Sequence, residues 1–399
     1  EAKTLFDTSI KEAIDPEFTA RATFWKAETD YNLTNYSEAL MGFKQFQQQQ
    51  NTNTTKEIEN IDYNLAYTYF KQKNYAQSIT YFDTFISNKK DDKTRLYDAY
   101  LRLGDAYFVS SSYKKAIETY EKAIKLNEKE SDYAFFQKAI SMGYAAKASE
   151  KIKALEQFIS KYPKSTLGDD ALYELGNSLV KANNIEKAMT AYNRLANDYK
   201  MSSFVPKAQL RQGLVYYNAN NNENALVKFK KVASDYPGTP EAVQAVSTAR
   251  LIYIDLGRVN EYATWVKQLD YVEITDAELD NVTYEAAEKQ YLDNNTNKAI
   301  TLFNGYLNDF PNGLNALQAH FYVAQMYYKK DVMAKATPHY KYVVDATQNE
   351  FTEQALLRLA QYNLKKKLWT PAIPLLQLLE TEANFPQNII FSQSNLMKA

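Results

Sequence analysis

A spacing of about 37 residues recurs along almost the whole of this chain of 399 residues. It is clearest over residues 99–124, where a Leu-Gly pair at 103–104 is followed by Tyr107, a polar turn, Ala116 and Tyr120. Sliding this frame along the chain places a small residue in nine of eleven slots: Ala2, Ala39, Ser78, Ala116, Ala188, Ala225, Ala299, Ala336 and Ala372. Internal repeats of this length indicate stacked supersecondary units, each of which contacts only its neighbours. A chain of such units can therefore be longer than a domain built around a single compact core.

Two further positions recur in the same frame. A second small residue recurs in the first helix of nine units, at Ala27, Ala66, Gly104, Ala139, Gly176, Gly213, Ala287, Ala324 and Ala360. An aromatic residue follows the first set by four, at Phe6, Phe43, Phe82, Tyr120, Tyr192, Phe229, Phe303 and Tyr340. Small residues let two antiparallel helices cross closely, and a larger side chain there would cost about 1–3 kcal/mol through overpacking. The pattern predicts that each unit is a hairpin of two helices.

The order Leu-Gly, Tyr, turn, Tyr, Ala, aromatic, Ala resembles the tetratricopeptide repeat consensus. The standard unit has 34 residues, whereas here the extra residues fall in loops such as KYPKS at Lys161, DYPGT at Asp235 and DFPNG at Asp309. Bacterial envelope proteins with this lengthened unit are similar, notably the Bam-type outer-membrane assembly lipoproteins and the periplasmic Tol–Pal-associated coordinator. The resemblance implies an all-α, right-handed α–α superhelical solenoid of helix hairpins. It also implies a periplasmic or outer-membrane-associated adaptor, with a cytoplasmic location as the alternative.

The frame predicts one continuous array of about ten repeats over residues 1–399, with a partial repeat at each end. Residues 1–14 fit a second helix only, and residues 387–399 fit a first helix only. We expect a segment of a longer repeat protein, the alternative being that the last helix is a short cap. Lys151 and Tyr262 fill two slots where a small residue is expected, which predicts either a local kink or local repacking.

Composition excludes several kinds of function. Lys and Arg number 47 and Asp and Glu 48, so the chain lacks the positive charge that binding to a nucleic-acid backbone requires. Binding of single-stranded RNA is disfavoured for the same reason. There is no cysteine, and no apolar run of about 18 residues long enough to span a membrane.

No arrangement of residues predicts catalysis, a cofactor or a metal site. The two histidines, His320 and His339, lie in successive helices and are interpreted as packing or surface residues, because a metal site needs more ligands. Acidic pairs at 91–92 and 169–170 suit helix N-termini, and the lysines at 365–367 suit a solvated helix end. The chain is predicted not to be an enzyme, although it could be the non-catalytic arm of a larger envelope enzyme.

The remaining candidate is the groove that first helices line in arrays of this kind. Residues spaced by one helical turn lie on one side of a helix, and here they form a series of aromatic side chains. The predicted partner-binding residues are Phe24, Tyr31, Tyr63, Tyr67, Phe70, Phe108, Tyr173, Tyr217, Tyr284, Tyr291, Phe321 and Tyr328. The alternative is that many of them fill space between neighbouring repeats. In chaperone-binding arrays a cluster of Lys and Asn in this groove clamps a C-terminal carboxylate, whereas the equivalent slots here hold mostly Tyr, Asn, Gln and Leu, so a clamp of that kind is not expected. The sequence thus predicts a scaffold that binds proteins or peptides along its concave face.

Overall fold

The computed structural model describes residues 1–88, 91–127 and 131–399. These residues form 22 α-helices and two short 3₁₀ helices, with no β-strand among them. The chain divides into two compact units, Glu1–Ala208 and Gln209–Ala399. Each unit is a stack of antiparallel helix hairpins, so the predicted all-α solenoid is confirmed. The prediction of one continuous array with partial repeats at its ends stays a prediction.

Unit 1 alternates first helices, which carry even numbers, with second helices, which carry odd numbers. Its helices are α1 (Ala2–Glu12), α2 (Pro16–Asn32), α3 (Tyr36–Gln48), α4 (Ile61–Lys71), α5 (Tyr75–Asn88), α6 (Lys93–Val109), α7 (Tyr113–Leu126), α8 (Asp132–Tyr144), α9 (Ala148–Lys161), α10 (Gly168–Lys181) and α11 (Ile185–Asp198). Two 3₁₀ helices, Thr52–Thr54 and Lys56–Asn60, connect α3 to α4. The next first helix, α12 (Phe204–Asn218), contains residues of both units.

Unit 2 continues the same alternation. Its helices are α13 (Asn222–Asp235), α14 (Pro240–Leu256), α15 (Val259–Val266), α16 (Asp276–Leu292), α17 (Thr296–Asp309), α18 (Ala316–Lys329), α19 (Met333–Asp345), α20 (Thr352–Lys365), α21 (Trp369–Glu382) and α22 (Pro386–Lys398). In the frame of the repeat, α1 occupies a second-helix position and α22 a first-helix position.

Each of the hairpin turns in the described part of the chain contains one residue in the left-handed region, with φ between 55° and 66°. These residues are Thr34, Lys73, Ser111, Ala146, Asn183, Asn220, Gly257, Asn294, Asp331 and Lys367. The following amide donates to a carbonyl five residues back, as from Asn35 to Asp30 at 2.8 Å and from Leu368 to Asn363 at 2.9 Å. This bond satisfies a carbonyl that the end of a helix would leave unpaired, so the chain reverses within about three residues.

Aromatic rings of the second helices pack directly on the small residues of the first helices. A Cβ added to Gly104 would lie 2.6 Å from Tyr120 Cε1, and one added to Gly176 would lie 2.3 Å from Tyr192 Cε1. Both rings are almost fully buried. The recurrent glycine therefore makes room for a ring, which is more specific than the predicted close crossing of two backbones.

The two atypical slots differ in their structural effect. Lys151 lies in α9, a helix of 14 residues. A Cβ added to Gly143 would lie only 2.8 Å from the Cδ of Lys151. Tyr262 lies in α15, which has only 8 residues, and its ring is buried beside Tyr253 at 5.9 Å. Lys151 is thus accommodated by a glycine opposite it, whereas Tyr262 accompanies a shortened second helix.

Candidate partner-binding face

Successive first helices contact one another through polar and aromatic side chains, and we call the surface that these side chains form the first-helix face. In unit 1, Asn64 Nδ2 of α4 donates to Glu28 Oε2 of α2 at 2.6 Å. Burial raises the pKa of Glu28, partly offset by its hydrogen bonds to Asn64 and Asn32. In unit 2, Arg250 of α14 pairs with Glu285 of α16 at 2.8 Å. Side chains of neighbouring first helices therefore contact one another in both units.

Three of the twelve predicted groove residues are buried: Phe24, Tyr284 and Phe321. Phe24 packs edge to face on Phe43 at 5.4 Å, and Phe321 stacks on Phe351 at 4.4 Å. The Tyr284 hydroxyl donates to Glu288 at 2.9 Å. These side chains belong to the cores between helices and expose little surface to a partner.

The other nine are half-buried: Tyr31, Tyr63, Tyr67, Phe70, Phe108, Tyr173, Tyr217, Tyr291 and Tyr328. Three of them end a first helix and pack on the tyrosine that starts the next helix: Tyr31 on Tyr36, Phe70 on Tyr75 and Phe108 on Tyr113, with centroids 5.5–5.6 Å apart. These pairs close the hairpin turns of the first three repeats in unit 1.

The remaining six connect neighbouring repeats or flank a core. Tyr63 and Tyr67 both donate to Asp98 of the next first helix, and Tyr173 stacks on Phe204 at 5.0 Å. Tyr217 flanks the core of unit 2, and Tyr291 stacks on Tyr322 at 4.5 Å. The guanidinium of Arg358 lies over the ring of Tyr328 at 4.5 Å and donates to its hydroxyl at 3.0 Å. Each residue thus has an intramolecular contact, and contact with a partner stays a prediction for all twelve.

Sequence reasoning missed a buried carboxylate on the first-helix face. Asp105 of α6 accepts hydrogen bonds from Tyr120 at 2.7 Å, from Tyr133 at 2.9 Å and from Arg102. Burial raises the pKa of Asp105, and the bonds from Tyr120 and the charge of Arg102 partly offset this effect. The signal in the sequence is an acidic residue directly after the small residue of a first helix, where a solvated side chain is not expected.

A cleft of 640 Å³ opens on the first-helix face of unit 1, mostly between α8 and α10. We call it the α8–α10 cleft. Phe108 and the exposed Tyr144 line one side, and Asp170 and Glu174 line the other. Lys151 reaches into it from α9 and pairs with Glu174 at 2.5 Å. Burial and the nearby carboxylates of Asp169 and Glu174 raise the pKa of Asp170. The cleft therefore offers aromatic and charged groups together.

A second cleft, of 800 Å³, opens on the first-helix face of unit 2 between α14 and α16, beside the shortened helix α15. We call it the α14–α16 cleft. Its walls include Val243, Leu251, Tyr262 and residues 271–274. Tyr271 fixes that last segment, since its hydroxyl donates to the carbonyl of Ala233 at 2.8 Å. The missing length of α15 is thus replaced by an apolar cleft.

The two histidines lie together. Their Nδ1 atoms are 2.8 Å apart, and His320 stacks on Tyr342 with centroids 3.8 Å apart. Burial lowers the pKa of both, to about 4 for His320, to which the charge of His339 also contributes. Among the residues that the structure describes, no group of three or more His, Asp or Glu side chains could hold a metal ion. Over the same residues, no helix is both long and apolar enough to cross a bilayer.

Comparison with protein families identifies the repeat. Models of the tetratricopeptide repeat match residues 63–92, 97–130, 133–165, 170–200 and 207–239. The chain therefore contains tetratricopeptide repeats. The search of curated protein sequences finds no match.

Several solved structures are similar to this chain at low identity. A tetratricopeptide repeat protein from Parabacteroides merdae is 14% identical, with 67% of this chain and 98% of that chain covered and a TM-score of 0.33. The C-terminal part of a repeat-containing protein from Cytophaga hutchinsonii is 18% identical, with 64% and 99% covered and a TM-score of 0.38. The complex of Naa15 and Naa10 bound to HypK-THB includes a chain that is 14% identical, with 90% and 57% covered and a TM-score of 0.41.

Proposed function

We propose that this array of tetratricopeptide repeats is a scaffold that binds segments of partner proteins along its first-helix face. The observation that carries the proposal is the pair of clefts on that face, of 640 Å³ and 800 Å³. Repeat solenoids use an extended face of this kind for recognition. Nine of the twelve predicted aromatic residues are half-buried, and the clefts supply more exposed surface beside them.

The composition of the clefts suits a peptide that carries both apolar and charged side chains. Tyr144 is 63% exposed in the α8–α10 cleft, and Val243 is 52% exposed in the α14–α16 cleft. An exposed aromatic or aliphatic side chain gains from being covered, and a nearby charged group then fixes the orientation of the ligand. Asp170, which lines the α8–α10 cleft, supplies such a group.

Site-specific photocrosslinking in the source organism tests the proposal. A photoreactive phenylalanine derivative placed at Tyr144, Tyr217 or Val243 is expected to capture the same partner proteins. The matched positions are Thr190 of α11 and Thr301 of α17, which are exposed on second helices. If partner proteins are captured equally at the first-helix and second-helix positions, or only at the second-helix positions, binding along the first-helix face is contradicted.

The location of the protein in the bacterial envelope is part of the same proposal. It is supported by the mostly 37-residue period, which resembles that of envelope assembly adaptors rather than the standard 34-residue unit. Fractionation of the tagged full-length protein is expected to recover it with the periplasm or the outer membrane. Recovery in the cytoplasmic fraction would contradict the envelope location, and it would not affect the proposal that the protein binds other proteins.

A further inference from the structure

We propose that one edge of unit 2, formed by the turns of the α18–α19 and α20–α21 hairpins, binds the surface of an anionic lipid bilayer. We call it the basic edge, and it consists of Lys329, Lys330, Lys365, Lys366, Lys367, Leu368 and Trp369. It is formed by hairpin turns, whereas the two clefts are formed mainly by side chains of first helices. The inference therefore goes beyond the proposed binding of partner proteins and does not depend on it.

The turns that form the basic edge occupy equivalent places in successive repeats. Their left-handed residues are Asp331, with φ 56°, and Lys367, with φ 59°. Lys330 Nζ donates to Asn297 Oδ1 of the preceding hairpin, which shows that a side chain of one turn reaches the hairpin before it. One repeat later, Ala334 takes the place of Asn297, so the corresponding Lys366 has no such acceptor. The positive charge thus accumulates toward the second of the two turns.

The charge of this region is not balanced locally. Residues 316–382, which span α18 to α21, contain eight Lys or Arg and six Asp or Glu, including Asp331 of the first turn, whereas the whole chain has a formal net charge of −1. None of the five lysines of the basic edge forms an ion pair with a residue that the structure describes, and all five are exposed. Adjacent unpaired cations repel one another in the free protein, and an anionic surface removes that repulsion.

Apolar side chains follow the three consecutive lysines directly. Leu368 is 48% exposed and Trp369 is 41% exposed at the start of α21. Tryptophan is enriched where a bilayer meets water, because its ring is apolar and its N–H can still donate to headgroups or water. An acidic protein surface would pair with the lysines alone, whereas a bilayer presents anionic headgroups above an apolar layer. The combination of groups on the basic edge therefore favours a bilayer.

Vesicle binding provides the first test. The protein is expected to bind vesicles of phosphatidylglycerol and phosphatidylcholine, to bind vesicles of phosphatidylcholine alone much more weakly, and to dissociate as salt is added. The variant K365Q/K366Q/K367Q is expected to lower the partition coefficient by about 100-fold, since each lysine near an anionic surface contributes separately. The matched variant K114Q/K164Q/K200Q removes three exposed lysines of unit 1 and is expected to change little. Equal binding to both kinds of vesicle, no binding, or equal losses in the two variants would overturn the proposal.

Tryptophan fluorescence provides the second test, which separates a bilayer from an acidic protein. Brominated phosphatidylcholine in the anionic vesicles is expected to quench the emission of the protein. Trp369→Phe should remove this quenching. Trp25→Phe is the matched control, because Trp25 is similarly exposed at 45% but lies in unit 1, outside the basic edge, so the quenching should persist in that variant. Binding of soluble polyglutamate without binding of anionic vesicles would assign the basic edge to an acidic protein and refute the bilayer.

Discussion

At the scale of single residues, the contact between a first-helix glycine and a second-helix ring determines which substitutions the core tolerates. We expect Gly176→Ala to lower the free energy of unfolding by about 1–3 kcal/mol, because its Cβ would lie 2.3 Å from Tyr192 Cε1. Gly305→Ala is the control, since Gly305 lies exposed inside α17 with nothing within 4 Å of an added Cβ. Alanine favours a helix over glycine by up to about 1 kcal/mol, so this variant should be stabilised. Urea denaturation of both variants checks the prediction, and destabilisation of similar size in the two would contradict it.

The Asp105 network is the second residue-scale feature whose loss can be measured. Asp105→Ala leaves the Tyr120 hydroxyl and the Arg102 guanidinium without their shared acceptor in a buried place. We expect a loss of about 2–4 kcal/mol in the free energy of unfolding. Asp105→Asn keeps an acceptor oxygen for the tyrosines and should lose clearly less. Equal stability of the Ala variant and the wild type would show that the network does not stabilise the fold.

The histidine pair links stability to pH. Burial lowers the pKa of His320 from 6.5 to about 4 in the folded protein and lowers that of His339 as well. As the pH falls from 7 toward 4, the unfolded chain takes up protons that the folded pair does not, so the pair destabilises the fold over that range. We expect H320Q/H339Q to lose less thermal stability than the wild type between pH 7 and pH 4.5. Melting curves that shift in parallel for both proteins would contradict the prediction.

The sequence predicts these residue-scale features unevenly. The small residues and rings could be found because they recur in a frame, so that seven pairs of a small first-helix residue and a second-helix ring support one another. The twelve groove residues recur in the frame too, but periodicity gives only the face of the helix. Whether a ring such as Phe321 is buried depends on the next repeat, here on Phe351. The partners of Asp105 come from three helices, and no spacing along the chain brings them together.

At the scale of the helix, Lys151 and Gly143 form a pair that can be tested together. A Cβ on Gly143 would lie 2.8 Å from Lys151 Cδ, so Gly143→Ala should be destabilising in the wild type and much less so in Lys151→Ala. Lys151→Ala alone also leaves Glu174 without its ion pair. A double-mutant cycle is expected to give an interaction energy of about 0.5–3 kcal/mol between the two sites. Additive effects would show that the glycine does not accommodate the lysine.

Helix lengths follow from the sequence where the frame is regular and not where it is broken. The turns of the ten hairpins lie where the spacing predicts them, since a left-handed residue recurs in each. At Tyr262 the sequence predicts only that a bulky residue replaces a small one. It does not predict that α15 ends at Val266 or that residues 271–274 line a cleft, because that outcome depends on how Tyr271 bonds to Ala233.

At the scale of the whole chain, stability is expected to be local. Each helix packs on its near neighbours in the sequence, as α6 does on α5 and α7, and the free energy of a solenoid is then close to a sum over adjacent repeats. Asp105→Ala should therefore raise amide hydrogen exchange in α6, α7 and α8 and leave α18 to α21 of unit 2 as protected as in the wild type. Mass spectrometry of exchange in intact protein measures both regions in one sample. Uniform loss of protection along the chain would instead show a single cooperative transition, in which a substitution in one repeat destabilises all the others.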